Sequence, residues 1–294
     1  MDIRVLEYFL AVAREQSISG AADYLHLTQP TLSRQLMDLE NELGKQLFIR
    51  GNRKIILTDD GIFLRKRAEE IVELLHKTEN EIKTSDKQIS GDVYIGAGET
   101  DGVRFLAKTA KDIQKEHPDI HYHISSGDGL DVLYNLNKGI IDFALVLSNI
   151  DTKNYDYIKL PAYDKWGVLM KNDSELSDKE YISPEDLYDK PLIVSRQSYK
   201  RNELKDFFKG RFQKLNIIAT YNLIYNAALM VDEGLGYALT LDKLVNTSNT
   251  NMKFIPLNPQ IDIEMYLAWK KYQVFSKPAR LFLDSIRERT EQNQ

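Results

Sequence analysis

The 294-residue sequence contains no cysteine, which excludes disulfides, thiolate metal sites and cysteine redox sensing. No apolar run approaches the roughly 18 residues that a membrane-crossing helix needs. The opening MDIRVLEYF lacks the charged-then-apolar layout of a signal peptide. A soluble, unexported, cytoplasmic protein with no membrane partner is the expectation. Positive charge is scarce as well: 39 Lys and Arg stand against 44 Asp and Glu, a net of −5. Residues 1–90 repeat the balance, with 13 basic and 15 acidic residues and a net of −2. Any nucleic-acid contact must therefore come from a local patch. No Ser-His-Asp, metal or phosphate-loop constellation is present, so catalysis has no support and no cofactor is called for. The length favours two or three compact units.

The informative stretch is 19–53, SGAADYLHLTQPTLSRQLMDLENELGKQLFIRGNR. Ser19 is a candidate N-cap for a helix Gly20–His26 that buries Ala21, Ala22 and Leu25. Leu27-Thr28 makes a turn, and Thr28 can cap the next helix, whose first turn holds Pro30. Leu32, Leu36, Leu39 and Leu43 then form one apolar stripe. The opposite face carries Pro30, Thr31, Ser33, Arg34 and Met37, led by Gln29, and no acid occurs between Asp23 and Asp38. Such a helix suits the DNA major groove. Basic charge concentrates at Lys45, Arg50, Arg53 and Lys54, within ten residues free of acid, where phosphate neutralisation would occur.

The pattern AAxxLxxTQPxLSRQxxxLExELGxxLFxR, continued by RGNRKIILTDDG, resembles the winged helix-turn-helix of LysR-type transcriptional regulators. Residues beyond Gly91 match more loosely, by layout and short segments. The lack of cysteine removes that family's peroxide-sensing branch. The resemblance implies that Gln29, Pro30, Ser33 and Arg34 contact bases or nearby phosphates, with Thr28, Arg50 and Arg53 on the backbone. Ser33 and Arg34 as plain solvated residues are the bland alternative.

Residues 2–16 read as an amphipathic helix facing the DNA-binding core, and Gln46–Arg50 with Lys54–Leu57 as the two wing strands around Gly51-Asn52. Thr58-Asp59-Asp60-Gly61 opens a long helix to about Asp86, on which Leu64, Ala68, Ile71, Leu75, Thr78 and Ile82 alternate spacings of four and three. Such a seam could pack within one subunit; a long exposed helix more often dimerises, and the family's linker helix does so antiparallel. Thr84–Ser90 is a polar hinge.

The remainder alternates: strand Asp92–Ala97, helix about Asp101–Lys115, strand Ile120–Ser125, helix Leu130–Lys138, strand Phe143–Leu147, and a long crossing strand Tyr157–Lys171. A second set follows: strand Leu192–Ser195, helix about Asn202–Arg211, strand Ile217–Tyr221, helix Tyr225–Gly234, strands Gly236–Thr240 and Met252–Leu257, crossing strand Ile263–Lys270 and closing helix Pro278–Arg289. This order implies parallel sheets with helices on both faces. The fold class expected is an N-terminal α-helical winged helix-turn-helix (1–57), a linker helix and hinge (58–90), and an α/β effector domain (91–294). The last resembles the family's two-lobed, periplasmic-binding-protein-like domain, with lobe I at 91–161 and 268–294 and lobe II at 162–267.

In doubly wound sheets, ligands bind at strand carboxyl ends near helix N-termini. Four segments project there: Gly98-Glu99-Thr100-Asp101, Ser125-Ser126-Gly127-Asp128-Gly129, Leu147-Ser148 and Ser195-Arg196-Gln197-Ser198. With Trp166 as a wall, the candidate effector residues are Gly98, Glu99, Thr100, Ser126, Gly127, Ser148, Trp166, Ser195 and Arg196. Family members place hydroxyls and backbone amides around a small anion at comparable segments. Thr100 is equally readable as an N-cap, Ser195 as a strand-end hydroxyl and Trp166 as core. Arg196 at a helix N-terminus is unfavourable for the dipole unless an anion offsets it. Glu99 and Asp101 depart from the neutral small residues common in that segment and leave room for a cationic or zwitterionic effector.

GAGETDG has the spacing GxGxxxG, and the next strand ends His-Ile-Ser-Ser, with no acid to hold a ribose. Dinucleotide binding therefore fails. His121 and His123 share a strand face without a third ligand, which favours a surface pair over a metal site. The resulting expectation is a non-enzymatic regulator of LysR type that binds interrupted inverted repeats of double-stranded DNA as a homodimer or homotetramer. A small polar metabolite between the lobes would be its signal, altering DNA bending and contact with RNA polymerase. A regulator with no effector, a solute-binding module and an enzyme are the competing readings.

Overall fold

The computed structural model describes residues 1–51, 54–83, 89–147, 150–201 and 204–292. The chain divides into two compact units, Met1–Lys83 and Thr84–Gln294.

The first unit begins with α1 (Ile3–Glu15), α2 (Ile18–Tyr24) and α3 (Gln29–Leu43). Ser17, not Ser19, caps α2: its Oγ accepts from the Gly20 amide at 3.2 Å, while Ser19 Oγ only meets Ser17 Oγ. The helix therefore starts two residues earlier than Ser19 suggests. Helix α3 ends at Gly44, whose φ of +63° is the left-handed conformation a helix C-cap needs. Leu32, Leu36 and Leu39 are buried with Phe9 and Ala21, as their spacing requires. Leu43 is 40% exposed; the stripe runs off the core in the last turn.

The wing is an antiparallel pair, β1 (Phe48–Arg50) and β2 (Ile55–Leu57). Glu40 of α3 holds its start, with Oε1 accepting from the Leu47 and Phe48 amides at 2.7 and 3.2 Å. Helix α4 (Asp59–Lys83) is locked to it through Thr58, which donates to the Gln46 carbonyl and accepts from the Gly61 amide. A Cβ at Gly61 would lie 2.2 Å from the Leu47 carbonyl oxygen, so glycine alone permits this approach. The α4 seam then divides. Ala68 is wholly buried in the core of its own unit, with Leu64 and Val72 against it; Ile71 and Ile82 are exposed, and Leu75 is half-buried. The seam's first turns therefore serve the chain's own core, because α1 packs along α4 there.

The second unit is one mixed sheet ordered β4-β3-β5-β11-β6-β9-β7-β8, with β10 also on β6. In lobe I, β3 (Gly91–Ala97), β4 (Ile120–Ser126) and β5 (Phe143–Leu147) are parallel, joined by α5 (Val103–Glu116) and α6 (Gly129–Lys138). In lobe II, β7 (Leu192–Ser195), β8 (Ile217–Tyr221) and β9 (Tyr237–Leu241) repeat the arrangement, with α7 (Arg196–Arg201) and α8 (Ile224–Asp232). The long strands β6 (Tyr155–Lys171) and β11 (Asp262–Lys270) are antiparallel to their neighbours, as is β10 (Met252–Pro256) to β6. Strand β6 leaves the β11 ladder at Lys165 and joins β9 from Trp166, so one strand serves both lobes. Helix α9 (Lys277–Glu291) packs beside α5.

Alternation explains the layers. Phe143 and Leu145 point to the core shared with Phe282, whereas Ala144 and Val146 point to the one under α6. Leu192 and Val194 join Phe208, and Ile193 joins α8. One expected helix fails: after β7 the helix is Arg196–Arg201, and Leu204–Gly210 forms turns. The apolar Phe207, Phe208 and Phe212 of this stretch are buried all the same.

Candidate DNA-reading helix and interlobe cavity

On α3 the first turn is open. Thr28 has the extended backbone of an N-cap but makes no side-chain cap bond; its hydroxyl meets Thr31 Oγ1 at 2.8 Å. Thr28, Gln29, Pro30, Thr31 and Arg34 are exposed along one face, Met37 continues it, and Ser33 is half-buried. Arg34 has no hydrogen-bond or ion-pair partner among the described residues. The basic patch is smaller than its sequence suggests, because Lys45 pairs with Asp60 at 3.4 Å. Arg53 and the side chain of Arg50 lie outside the described residues.

In the second unit a cavity of about 440 Å³ lies between the lobes. Lobe I supplies the loops after β3, β4 and β5, and lobe II those after β7, β8 and β9. Five expected residues line it: Gly98, Glu99, Gly127, Trp166 and Ser195. Trp166 is at once wall and core, since its ring also packs into the main cluster of lobe II. Ser148 lies outside the described residues. Three expected contacts lie outside the lining. Thr100 is buried: it donates to Asp164 Oδ2 at 2.6 Å and accepts from the Gly102 amide. It is thus a structural bridge to the crossing strand β6. Ser126 is exposed at the end of β4 and outside the lining. Arg196 also stands outside the lining, because its guanidinium donates to Asp128 Oδ2 at 2.5 Å and to Asp131 Oδ2 at 3.1 Å, on the other lobe. The anion that offsets its unfavourable place at a helix N-terminus belongs to the protein itself.

Two more bonds cross the cleft. Gln197 Oε1 accepts from the Gly129 amide at 2.7 Å, and Glu99 Oε2 accepts from the Ile224 amide at the start of α8 at 2.5 Å. Burial pushes Glu99 above the usual carboxylate range, partly offset by that amide. Burial also opposes ionisation of Asp128, but the Asp131 amide and Arg196 outweigh it and hold its carboxyl below the ordinary value. Behind Thr100, burial raises Asp164, whose Oδ1 has no hydrogen-bond partner.

Sequence reading missed the lobe II wall formed by Tyr221, Asn222, Ile224, Thr240 and Leu241. The signal was available: these residues sit at the carboxyl ends of β8 and β9 or open α8, where the rule applied to lobe I also holds. Among the described residues no group of three or more His, Asp or Glu could hold a metal. His123 instead stacks on Tyr94 and pairs with Asp92 at 2.9 Å.

Comparison with known proteins decides the family. Residues 3–62 match the model of the bacterial regulatory helix-turn-helix protein, lysR family, and residues 86–291 match the LysR substrate binding domain. The chain belongs to the LysR family. This LysR protein is 27% identical to the uncharacterised HTH-type transcriptional regulator YvbU of Bacillus subtilis (strain 168), covering 98% of each chain. It is also 27% identical to the HTH-type transcriptional regulator BsdA of the same strain, over 97% of this chain and 99% of that one. Full-length CbnR complexed with its target DNA shares the fold, at TM-score 0.76 and 18% identity, with each chain covered in full. The LysR protein is a DNA-binding transcriptional regulator with a substrate-binding domain, and not an enzyme.

Proposed function

We propose that this LysR regulator responds to a small molecule held between the lobes of its second unit and converts it into altered transcription. The observation that carries the reading is the cavity of about 440 Å³, within the range of about 300–1,000 Å³ typical of small-molecule sites. Bonds from both lobes span it, so a ligand that rearranges them would change the lobe closure and bias one assembly over another. Residues Gln29, Pro30, Ser33 and Arg34 read bases, and Thr28, Arg50 and Arg53 hold phosphates. The first-turn amides of α3, left uncapped by Thr28, add an anion site. With a net negative chain, one copy alone binds DNA weakly, and the exposed Ile71 and Ile82 of α4 pair two chains on interrupted inverted repeats. A homotetramer in the cytoplasm that contacts RNA polymerase completes the reading.

The test couples both halves. DNA fragments are selected from genomic DNA with the full chain, and their affinity is measured with and without amino acids, organic acids, amines and nucleotides. A change in affinity or footprint with one class supports the reading. A constitutive regulator shows none, a second reading favoured by the three contacts by which the protein's own groups join the lobes. Ile71→Asp combined with Ile82→Asp should lower the mass seen by light scattering.

A further inference from the structure

The chemistry of the cavity limits what it can hold, an argument that rests on the reading of the cleft as the effector site. An anionic effector needs a cation or vacant backbone amides at helix N-termini. Among the described lining residues there is no Lys, Arg or His; the charged groups are Glu99, Asp128 and Asp151. At three helix starts facing the cleft, first-turn amides are taken by the protein's own oxygens: all three on α6, and one each on α7 and α8. Glu99 accepts from the Ile224 amide of α8. Asp128 accepts from the Leu130 and Asp131 amides and Gln197 from the Gly129 amide, both on α6. Ser195 Oγ accepts from the Ser198 amide of α7. The nearest guanidinium, Arg196, is already paired with two carboxylates. Glu99 thus stands where an effector carboxylate would seat.

Most of the rest of the wall is apolar and aromatic, interrupted by the neutral polar side chains of Ser195, Asn222 and Thr240. Leu147, Ile263 and Leu244 face it together with Tyr155, Trp166 and Tyr221. The Tyr221 hydroxyl donates to the Leu239 carbonyl, and the Tyr155 hydroxyl accepts from Asn137 Nδ2 and keeps its own proton to donate, so the surface these residues offer is mainly their ring faces. Glu99 Oε1 has no hydrogen-bond partner among the described residues and is the acceptor left for a ligand. We infer that the cavity takes an organic cation, an apolar or aromatic body bearing a protonated amine, with the ammonium on Glu99 and the body against the aromatic wall. Aromatic faces favour a cation as well, whereas a carboxylate would meet Glu99 and Asp151, with Asp128 already paired to Arg196.

The test uses matched sets on one skeleton: phenethylamine, phenethyl alcohol and hydrocinnamate, then tryptamine, tryptophol and indolepropionate. Binding to the full chain is measured by calorimetry and thermal shift. The amine of a set should bind at least about tenfold more tightly than its alcohol, the scale of one charged hydrogen bond, and the carboxylate should not bind. Glu99→Gln, which keeps an oxygen for the Ile224 amide, should remove that tenfold advantage and leave the alcohol's affinity unchanged. Carboxylate or alcohol binding equal to the amine's, or an amine affinity indifferent to Glu99→Gln, overturns the charge assignment while the effector site stands. Absence of binding by every member of both sets overturns this assignment, while the effector site itself stands or falls on the wider panel of amino acids, organic acids, amines and nucleotides.

Discussion

Arg196 of lobe II donates to Asp128 Oδ2 of lobe I at 2.5 Å, joining residues 68 positions apart across the cleft. Asp128 also caps α6, so the pair ties the start of one lobe's helix to the other lobe. Arg196→Ala should loosen that tie. Exchange at the Gly127–Asp131 and Ser195–Ser198 amides should rise, read by hydrogen-exchange mass spectrometry. The thermal midpoint should move little, because half-exposed ion pairs contribute little to global stability. Unchanged exchange in both segments would show that the pair does not hold the cleft.

The same pair sets a pH dependence. Asp128 is held below its ordinary value of 3.8 in the fold. A depressed carboxyl stabilises above the unfolded-state value, and the contribution is lost as pH falls through the folded value. Asp128→Asn should therefore lower the melting midpoint of the second unit at neutral pH, with the gap to the parent closing below about pH 4. A gap that stays constant across this range contradicts the assignment.

Glu40 is acidic in a DNA-binding unit, yet its carboxylate anchors the wing through two amides. Removing it strands both donors. Glu40→Ala should destabilise the first unit by about 1–3 kcal/mol and, on the proposed reading that the wing meets phosphates, weaken binding to all sequences alike. Anisotropy on matched and scrambled DNA separates this from a change in base preference.

Leu36 and Arg34 are near neighbours on α3 with opposite roles. Leu36→Ala should cost about 2–5 kcal/mol of stability in the first unit by opening a cavity. Arg34→Ala, at an exposed site, should stay within about 0.5 kcal/mol by denaturation. It should lose about 1–3 kcal/mol of DNA binding and relax preference at one base position. Equal affinity for matched and mutated half-sites before and after the change would place Arg34 on the backbone instead.

Much of this was legible along the chain. The α3 start at Thr28 and the leucine spacing are local events within one or two turns, so this helix could be placed from the chain, while its stop at Gly44 came from the structure. Strands β5, β7 and β8 were placed to the residue because each is a short apolar run between turn signals. The helix expected at Asn202–Arg211 failed because Phe207, Phe208 and Phe212 are buried as a turn-linked cluster, and periodicity alone does not separate that from a helix face.

By itself the sequence determined the reader helix, the two alternating α/β sets and the absence of any cysteine or membrane-crossing helix. These depend on spacing and composition, which act over a few residues. Only the tertiary structure decided what each polar group at the cleft touches. Arg196 meets Asp128 across 68 residues, and Glu99 meets Ile224 across 125. Likewise Ala68 turned inward because α1 lies along α4. Long-range pairing follows from how the sheet brings loops together, and no local pattern encodes it. The segments where a ligand would sit, with Glu99 as an acid among them, were thus visible in the chain, while the fold decided which cations and amides there are already engaged.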